Sequence, residues 1–142
     1  MKLAYVAALM VAGIACISVD APAGQKVPSE VSILNSAGSY SVSGSLPGAR
    51  NSADSKQRIG CQLATSAGST TISGRCEAAN AQGQYAQCGT TAPHLLEVIK
   101  AIDSGSLLYF RYDPLVTMPG GGLPECASIT LDKNSLYEPK NP

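Results

Sequence analysis

Four of the five cysteines of this chain, and its single histidine, are the residues whose chemistry is most easily stated. Structural zinc sites use closely spaced cysteine pairs, whereas Cys61, Cys76, Cys88 and Cys126 are separated by long gaps, and only His94 is available to supplement them. A redox pair would need C-x-x-C near a βαβ unit, which the sequence lacks. We therefore expect no metal site and no cofactor. The four cysteines instead predict two disulfide bonds, formed in an oxidising compartment.

Four cysteines allow three pairings, and the strand pattern favours one while leaving a rival open. In the favoured pairing Cys61 bonds Cys76, because their strands would face each other across a turn at residues 67–68. Cys88 then bonds Cys126, which closes a loop of about 38 residues and stabilises the fold by roughly 4 kcal/mol in the chain-entropy treatment. The rival pairing joins Cys76 to Cys88 across the turn between them.

His94 is also the candidate for acid–base catalysis. The nearest acid, Glu97, lies three residues later on the same exposed helix face. A site of ribonuclease type would instead combine His94 and Glu77 with an arginine, either Arg75 or Arg111, on an antiparallel sheet. The chain has no G-x-S-x-G motif and no phosphate-binding loop. We expect the protein not to be an enzyme and keep a small secreted hydrolase of ribonuclease type as the alternative hypothesis.

Two segments are better suited to binding than to catalysis. Residues 49–61 are rich in charged and turn-forming side chains, typical of a solvated loop or of a polar recognition patch. Residues 113–125 form a predicted loop whose apolar side chains either fold back over the core or contact a partner, and a disulfide at its end would preorganise it. The candidate binding residues are Arg50, Asp54 and Arg58 in the first segment and Leu115, Val116, Met118 and Leu123 in the second.

The charge balance restricts the class of partner. The chain has 142 residues, of which 10 are Lys or Arg and 10 are Asp or Glu, and the basic residues are not clustered. This balance argues against a nucleic acid as the main partner, and no basic amphipathic helix is present for a membrane surface. We therefore expect a monomer that binds a protein or a small molecule.

Residues 1–23 have the pattern of a signal peptide. Lys2 precedes an uncharged apolar run that is too short to span a bilayer, and the small residues Ala21 and Ala23 fit cleavage before Gly24. Alternatively, residues 13–16 resemble a lipobox, so that the signal ends before Cys16 and lipid on that cysteine anchors a structural envelope protein. The first interpretation predicts a secreted or periplasmic protein and the second an outer-membrane lipoprotein.

Hydrophobic periodicity predicts the strands that position these residues. Alternating apolar and polar side chains, bounded by turn signals, predict six strands, and residues 24–38 are a linker or an edge strand. Breaks are expected at Pro47-Gly48 and turns at residues 67–68 and 81–83. The predicted strands are residues 39–45, 57–65, 70–78, 84–90, 107–112 and 127–131.

One helix is predicted between the fourth and fifth of these strands. Leu95, Val98, Ile99 and Ile102 recur at helical spacing. Thr91 is the expected N-cap and Gly105 the expected end. We therefore predict a single α+β domain over residues 39–142, with an antiparallel sheet of five or six strands, one helix packed on a face, and disulfide staples.

Three segments resemble a group of uncharacterised small exported bacterial proteins. They read RNSADSKQRIGC, GQYAQC and, near the end of the chain, ITLDKNSLYEP. The resemblance covers most of the chain from about Ser39 onward. It implies a bacterial source and four paired cysteines, and no activity is carried over with it.

Overall fold

The computed structural model describes residues 29–134, which form a seven-stranded mixed sheet and two short helices. The spatial order of the strands is β1-β2-β6-β7-β5-β4-β3, and all neighbours are antiparallel except β5 and β7. In chain order the elements are β1 (Ser32–Ser36), β2 (Ser39–Ser45), α1 (Leu46–Arg50), β3 (Arg58–Ala64), β4 (Ser73–Ala79), β5 (Tyr85–Thr90), α2 (Pro93–Lys100), β6 (Leu107–Thr117) and β7 (Pro124–Asp132).

The predicted antiparallel sheet of five or six strands with one helix is wrong. The seventh strand is β1, which pairs along its whole length with β2. The parallel contact arises because α2 carries the chain past the position of β7, so that the β6–β7 hairpin returns beside β5 with Gly89 opposite Glu125. Local periodicity identifies strands but not which distant strands become neighbours, so the sequence did not reveal the mixed sheet.

The second helix, α1, begins where Pro47 and Gly48 predict a break. Ser45 is its N-cap, and the Ser45 Oγ accepts a hydrogen bond from the Gly48 N–H at 3.0 Å. Proline is tolerated in the first helical turn because its missing N–H would have no helical partner there. A Cβ on Gly48 would collide with the carbonyl oxygen of Ser29, so the glycine is required by close packing.

The helix α2 lies close to its predicted position and packs against β3, β4 and β7. It buries Leu95, Leu96 and Ile99. A Cβ on Gly74 of β4 would collide with Ile99 Cδ1. The missing side chain of Gly74 therefore allows the helix to pack closely against this strand.

The two ends of α2 differ from the prediction. Its N-cap is Ala92 and not Thr91, because Pro93 forces the residue before it into an extended conformation. The Oγ1 of Thr90 accepts a hydrogen bond from the Ala92 N–H at 3.1 Å. The helix ends at Lys100, five residues before Gly105.

The sheet curls around the core so that its two ends approach each other. The N–H of Val31 donates to Gln57 Oε1 at 2.8 Å, which joins the start of β1 to the start of β3. A Cβ on Gly44 of β2 would lie 3.4 Å from Ile59 Cδ1 of β3. The inner face therefore forms the core, and the alternate residues of the same strands form the outer face. The largest fully buried apolar side chains are Phe110, Leu107, Leu108 and Val42.

Both disulfides are present, and they follow the favoured pairing. Cys61 and Cys76 lie directly opposite each other on β3 and β4 and are bonded. Cys88 and Cys126 bond β5 to β7. Two disulfides in one small domain indicate an oxidising extracellular or periplasmic environment. Neither of the helices within residues 29–134 has the length and apolar character needed to cross a membrane.

Candidate functional site

The four candidate catalytic residues do not form one site. Arg75 and Glu77 are adjacent on the outer face of β4, with Arg75 Nη2 3.2 Å from Glu77 Oε2. His94 lies on α2, which packs on the inner face beside Gly74. Arg111 is on the outer face of β6, and β7 and β5 separate it from β4. The structure therefore brings together the glutamate and one arginine, and places the histidine on the opposite side of the sheet.

Arg75 and Glu77 belong to a hydrogen-bonded group, the outer-face cluster, that also includes Arg58, Tyr85 and Gln87. Arg75 Nη2 donates to Tyr85 Oη at 2.9 Å and to Gln87 Oε1 at 2.6 Å. The Tyr85 hydroxyl donates to Glu77 Oε2 at 2.9 Å. The Arg58 guanidinium lies over the Tyr85 ring, 5.4 Å from its centroid. Three neighbouring strands thus fix the positions of these side chains.

The cluster leaves donors unused beside a shallow cleft. This cleft has a volume of about 200 Å³, and Arg58, Arg75 and Glu77 line it with Gln62. The Arg58 side chain is 60% exposed, and its Nε lies 3.9 Å from Glu77 Oε1. The Nε of Arg75 is buried and has no hydrogen-bond partner within the described residues. An unpaired buried donor costs about 1–3 kcal/mol, so this arrangement is not the one that stability alone would favour.

The segment predicted as a loop at residues 113–125 is largely a hairpin. The strand β6 continues to Thr117, β7 begins at Pro124, and the Met118 N–H donates to the Leu123 carbonyl at 3.0 Å. A Cβ on Gly89 would collide with Met118 Sδ, so the tip folds back onto β5. The four candidate apolar residues are therefore divided between two roles. Met118 and Leu123 pack over Gly89, whereas Leu115 is 88% exposed and Val116 is 51% exposed.

His94 lies beside this hairpin. It lines a cleft of about 310 Å³ together with Asp113, Val116 and Glu125. Glu97 instead accepts a hydrogen bond from Lys100 Nζ at 2.7 Å. Among residues 29–134 no group of three or more His, Cys, Asp or Glu side chains is arranged to hold a metal ion.

The polar segment at residues 49–61 does not form a single patch. Asp54 is occupied in shaping the turn, because its carboxylate accepts hydrogen bonds from the Lys56 N–H at 2.8 Å and from the Gln57 N–H at 2.9 Å. The Gln57 side-chain amide donates to it at 2.7 Å, and this bond is the main reason that the pKa of Asp54 lies below its ordinary value. Arg50 is exposed at the end of α1, and Arg58 joins the outer-face cluster.

Four residues near these sites were missed at the level of the sequence. Tyr85 and Gln87 alternate along a predicted strand that a turn at residues 81–83 places beside β4, so period-two pairing with Glu77 was a usable signal. Asp113 and Glu125 come together because the hairpin closes, and no local pattern indicates that closure.

No protein-family model, curated protein sequence or solved structure matches this chain.

Proposed function

We propose that the protein is exported and acts as a binding protein that contacts a protein partner through the tip of the β6–β7 hairpin. The observation that carries this proposal is the exposure of two adjacent apolar side chains, Leu115 at 88% and Val116 at 51%. Exposed apolar surface on a well-ordered tip is typical of a protein contact, because burying it releases about 25 cal/mol per Å².

The construction of the hairpin supports the same function. Met118 and Leu123 hold the tip against Gly89, and the bond between Cys88 and Cys126 fixes the base of β7. A tip that is already ordered loses little conformational entropy when a partner binds. The partner that fits is a protein with an apolar depression of its own, as expected of an inhibitor or adaptor acting on another exported protein.

Export is part of the proposal. The signal-peptide pattern at residues 1–23, and the alternative lipid attachment at Cys16, lie outside the described residues. The two disulfides support a protein that works outside the cytoplasm, either secreted or periplasmic. Membership of the group of small exported bacterial proteins is likewise a proposal.

Site-specific photocrosslinking tests the hairpin directly. A photoreactive phenylalanine analogue at Leu115 is expected to yield one discrete adduct in the native envelope or medium. The matched control carries the analogue at Ala64, which is exposed at the end of β3 on the far edge of the sheet. A crosslinker at Thr117 reports on the same tip when Leu115 is replaced. It is expected to form the adduct in the original sequence and to lose it in the double variant Leu115→Ser/Val116→Ser. Equal adducts from positions 115 and 64, or none from 115, would refute the hairpin contact.

A further inference from the structure

We infer that the outer-face cluster is a binding site for an acidic sugar, in which Arg58 and Arg75 hold the carboxylate and Glu77 accepts a hydrogen bond from a neighbouring hydroxyl. This site is separate from the proposed protein contact, since neither Leu115 nor Val116 lines its cleft. The inference does not depend on the proposed protein contact.

Several polar atoms of the cluster already have partners within it. Glu77 Oε2 accepts from the Tyr85 hydroxyl at 2.9 Å and lies 3.2 Å from Arg75 Nη2. Arg75 Nη2 also donates to Gln87 Oε1 at 2.6 Å. These bonds fix the plane of the Arg75 guanidinium before any ligand arrives, which is the preorganisation that a specific binding site requires.

The groups left over are mainly hydrogen-bond donors. Within the described residues, the Nη atoms of Arg58, Nη1 of Arg75 and the side-chain nitrogen of Gln87 form no hydrogen bond. The free acceptor is Glu77 Oε1, whose nearest ion-pair contact, to Arg58 Nε, is a loose 3.9 Å. Two guanidinium groups and one carboxylate give the cluster one net positive charge. A ligand that matches it has one oxyanion and at least one hydroxyl.

The size of the cleft and the charge of the chain narrow the class of ligand. A cleft of about 200 Å³ has room for one sugar ring. With 10 basic and 10 acidic residues, the chain has no surface excess of positive charge for a polyanion. Planar guanidinium groups bind carboxylates in bidentate geometry, and a sugar acid places hydroxyls next to its carboxylate. Glucuronate is therefore the probe that fits.

Titration of the oxidised, isotope-labelled protein by NMR tests this site. The buried Arg75 Nε–H supplies a resonance inside the cluster. Glucuronate is expected to shift this resonance, and the amides of Gly60 and Gln62, in a saturable way. Glucose, which lacks the carboxylate, is expected to leave them unchanged. Inorganic phosphate, which lacks the sugar hydroxyls, is expected to bind at least about tenfold more weakly.

Two variants localise the effect. Arg58→Gln is expected to weaken glucuronate binding by about tenfold or more, because it removes charge-assisted hydrogen bonds. Its side chain is exposed, so the fold tolerates the change. Arg111→Gln is the matched control, an exposed arginine on the outer face of β6, which two strands separate from β4, and this variant should bind as the original protein does.

Several outcomes would overturn the inference. They are no saturable shift with glucuronate, equal shifts with glucose, equal affinity for phosphate, or equal effects of the two arginine variants. The titration of the unaltered protein decides the first three, so the inference does not depend on how any variant folds. A failed crosslink at Leu115 would leave all of these results unchanged, so the two proposals fail separately.

Discussion

At the scale of single residues, the polar groups of this chain divide into those that shape the backbone and those that face solvent. Asp54 belongs to the first kind, since its carboxylate accepts three hydrogen bonds from Lys56 and Gln57. Arg58, only four residues later, belongs to the second and stacks on Tyr85. The sequence analysis assigned both residues to one recognition patch, because composition alone does not distinguish a side chain that caps a turn from one that faces solvent.

The turn at Asp54 predicts a pH dependence of stability. Hydrogen bonds to the carboxylate hold the pKa of Asp54 below its ordinary value, and the bond from the Gln57 side chain has the largest effect. A carboxyl with a depressed folded-state pKa contributes stability that is present above the unfolded pKa and is lost as the pH falls through the folded value. The contribution of Asp54 is therefore intact at neutral pH, and it begins to be lost as the pH falls below about 4, the ordinary pKa of an aspartate.

Urea unfolding at pH 7 and at pH 3 checks this expectation. Asp54→Ala should be less stable than the original protein at pH 7, and the difference should shrink at pH 3. Ser55→Ala, a neutral exposed neighbour, serves as the control whose difference from the original protein stays the same. A difference for Asp54→Ala that is equal at both pH values would contradict the assignment.

At the scale of elements, α2 packs closely against β4 because Gly74 has no side chain. The closest approach is at Gly74, where a Cβ would collide with Ile99 Cδ1 and approach Leu96 Cδ2 to 3.0 Å. Gly74→Ala should therefore destabilise the protein by about 1–3 kcal/mol, the usual cost of overpacking a core. Thermal or urea unfolding measures the loss.

Gly60 offers a matched control for that substitution. It is also a strand glycine, on the adjacent β3, but no heavy atom lies within 4 Å of the position of its Cβ. Gly60→Ala should be neutral or slightly stabilising, because alanine reduces the entropy of the unfolded chain. If both variants lost the same stability, close packing of α2 would not be the cause.

The elements also show how far the sequence could be used to predict the structure. The strand at residues 39–45 matches β2, and the apolar spacing of Leu95 and Ile99 identified α2, because both patterns are local. The helix α1 was missed because Pro47-Gly48 normally marks a turn, although Ser45 three residues before Gly48 was a usable capping signal. Local pattern was sufficient for these elements and insufficient for their arrangement.

The same contrast between local pattern and the arrangement of elements applies to the candidate sites. The pairing of Glu77 with Gln87 could be predicted, because a short turn sets the register of β4 and β5. The meeting of His94 with Asp113 and Glu125 could not, because it depends on the β6–β7 hairpin closing beside α2. The separation of His94 from Glu77 likewise depends on which face α2 covers, and that choice is made by packing and not by spacing.

At the scale of the whole molecule, the sheet consists of two antiparallel parts joined by a narrow seam. One part contains β1, β2, β6 and β7, and the other contains β3, β4 and β5. The strands at the seam share one residue pair, Gly89 with Glu125. The bond between Cys88 and Cys126 lies next to this pair and crosses the seam, whereas the bond between Cys61 and Cys76 lies within one part.

The two disulfides should therefore contribute unequally to stability. In the chain-entropy treatment, a sequence separation of 38 for Cys88 and Cys126 corresponds to about 4 kcal/mol, and a separation of 15 for Cys61 and Cys76 to about 3 kcal/mol. Replacing each pair with alanine, which avoids burying a hydroxyl in the core, and measuring urea unfolding should reproduce this order.

Hydrogen exchange distinguishes the seam from a general loss of stability. Without the bond between Cys88 and Cys126, the amides at Gly89 and Glu125 should exchange faster than those in the centre of β2, because the two parts of the sheet separate before either unfolds. Without the bond between Cys61 and Cys76, the exchange rates of the two sets of amides should keep the same relative order as in the original protein. Uniform acceleration in both variants would mean that the sheet unfolds as one unit, and that the disulfide across β5 and β7 is not what joins its two parts.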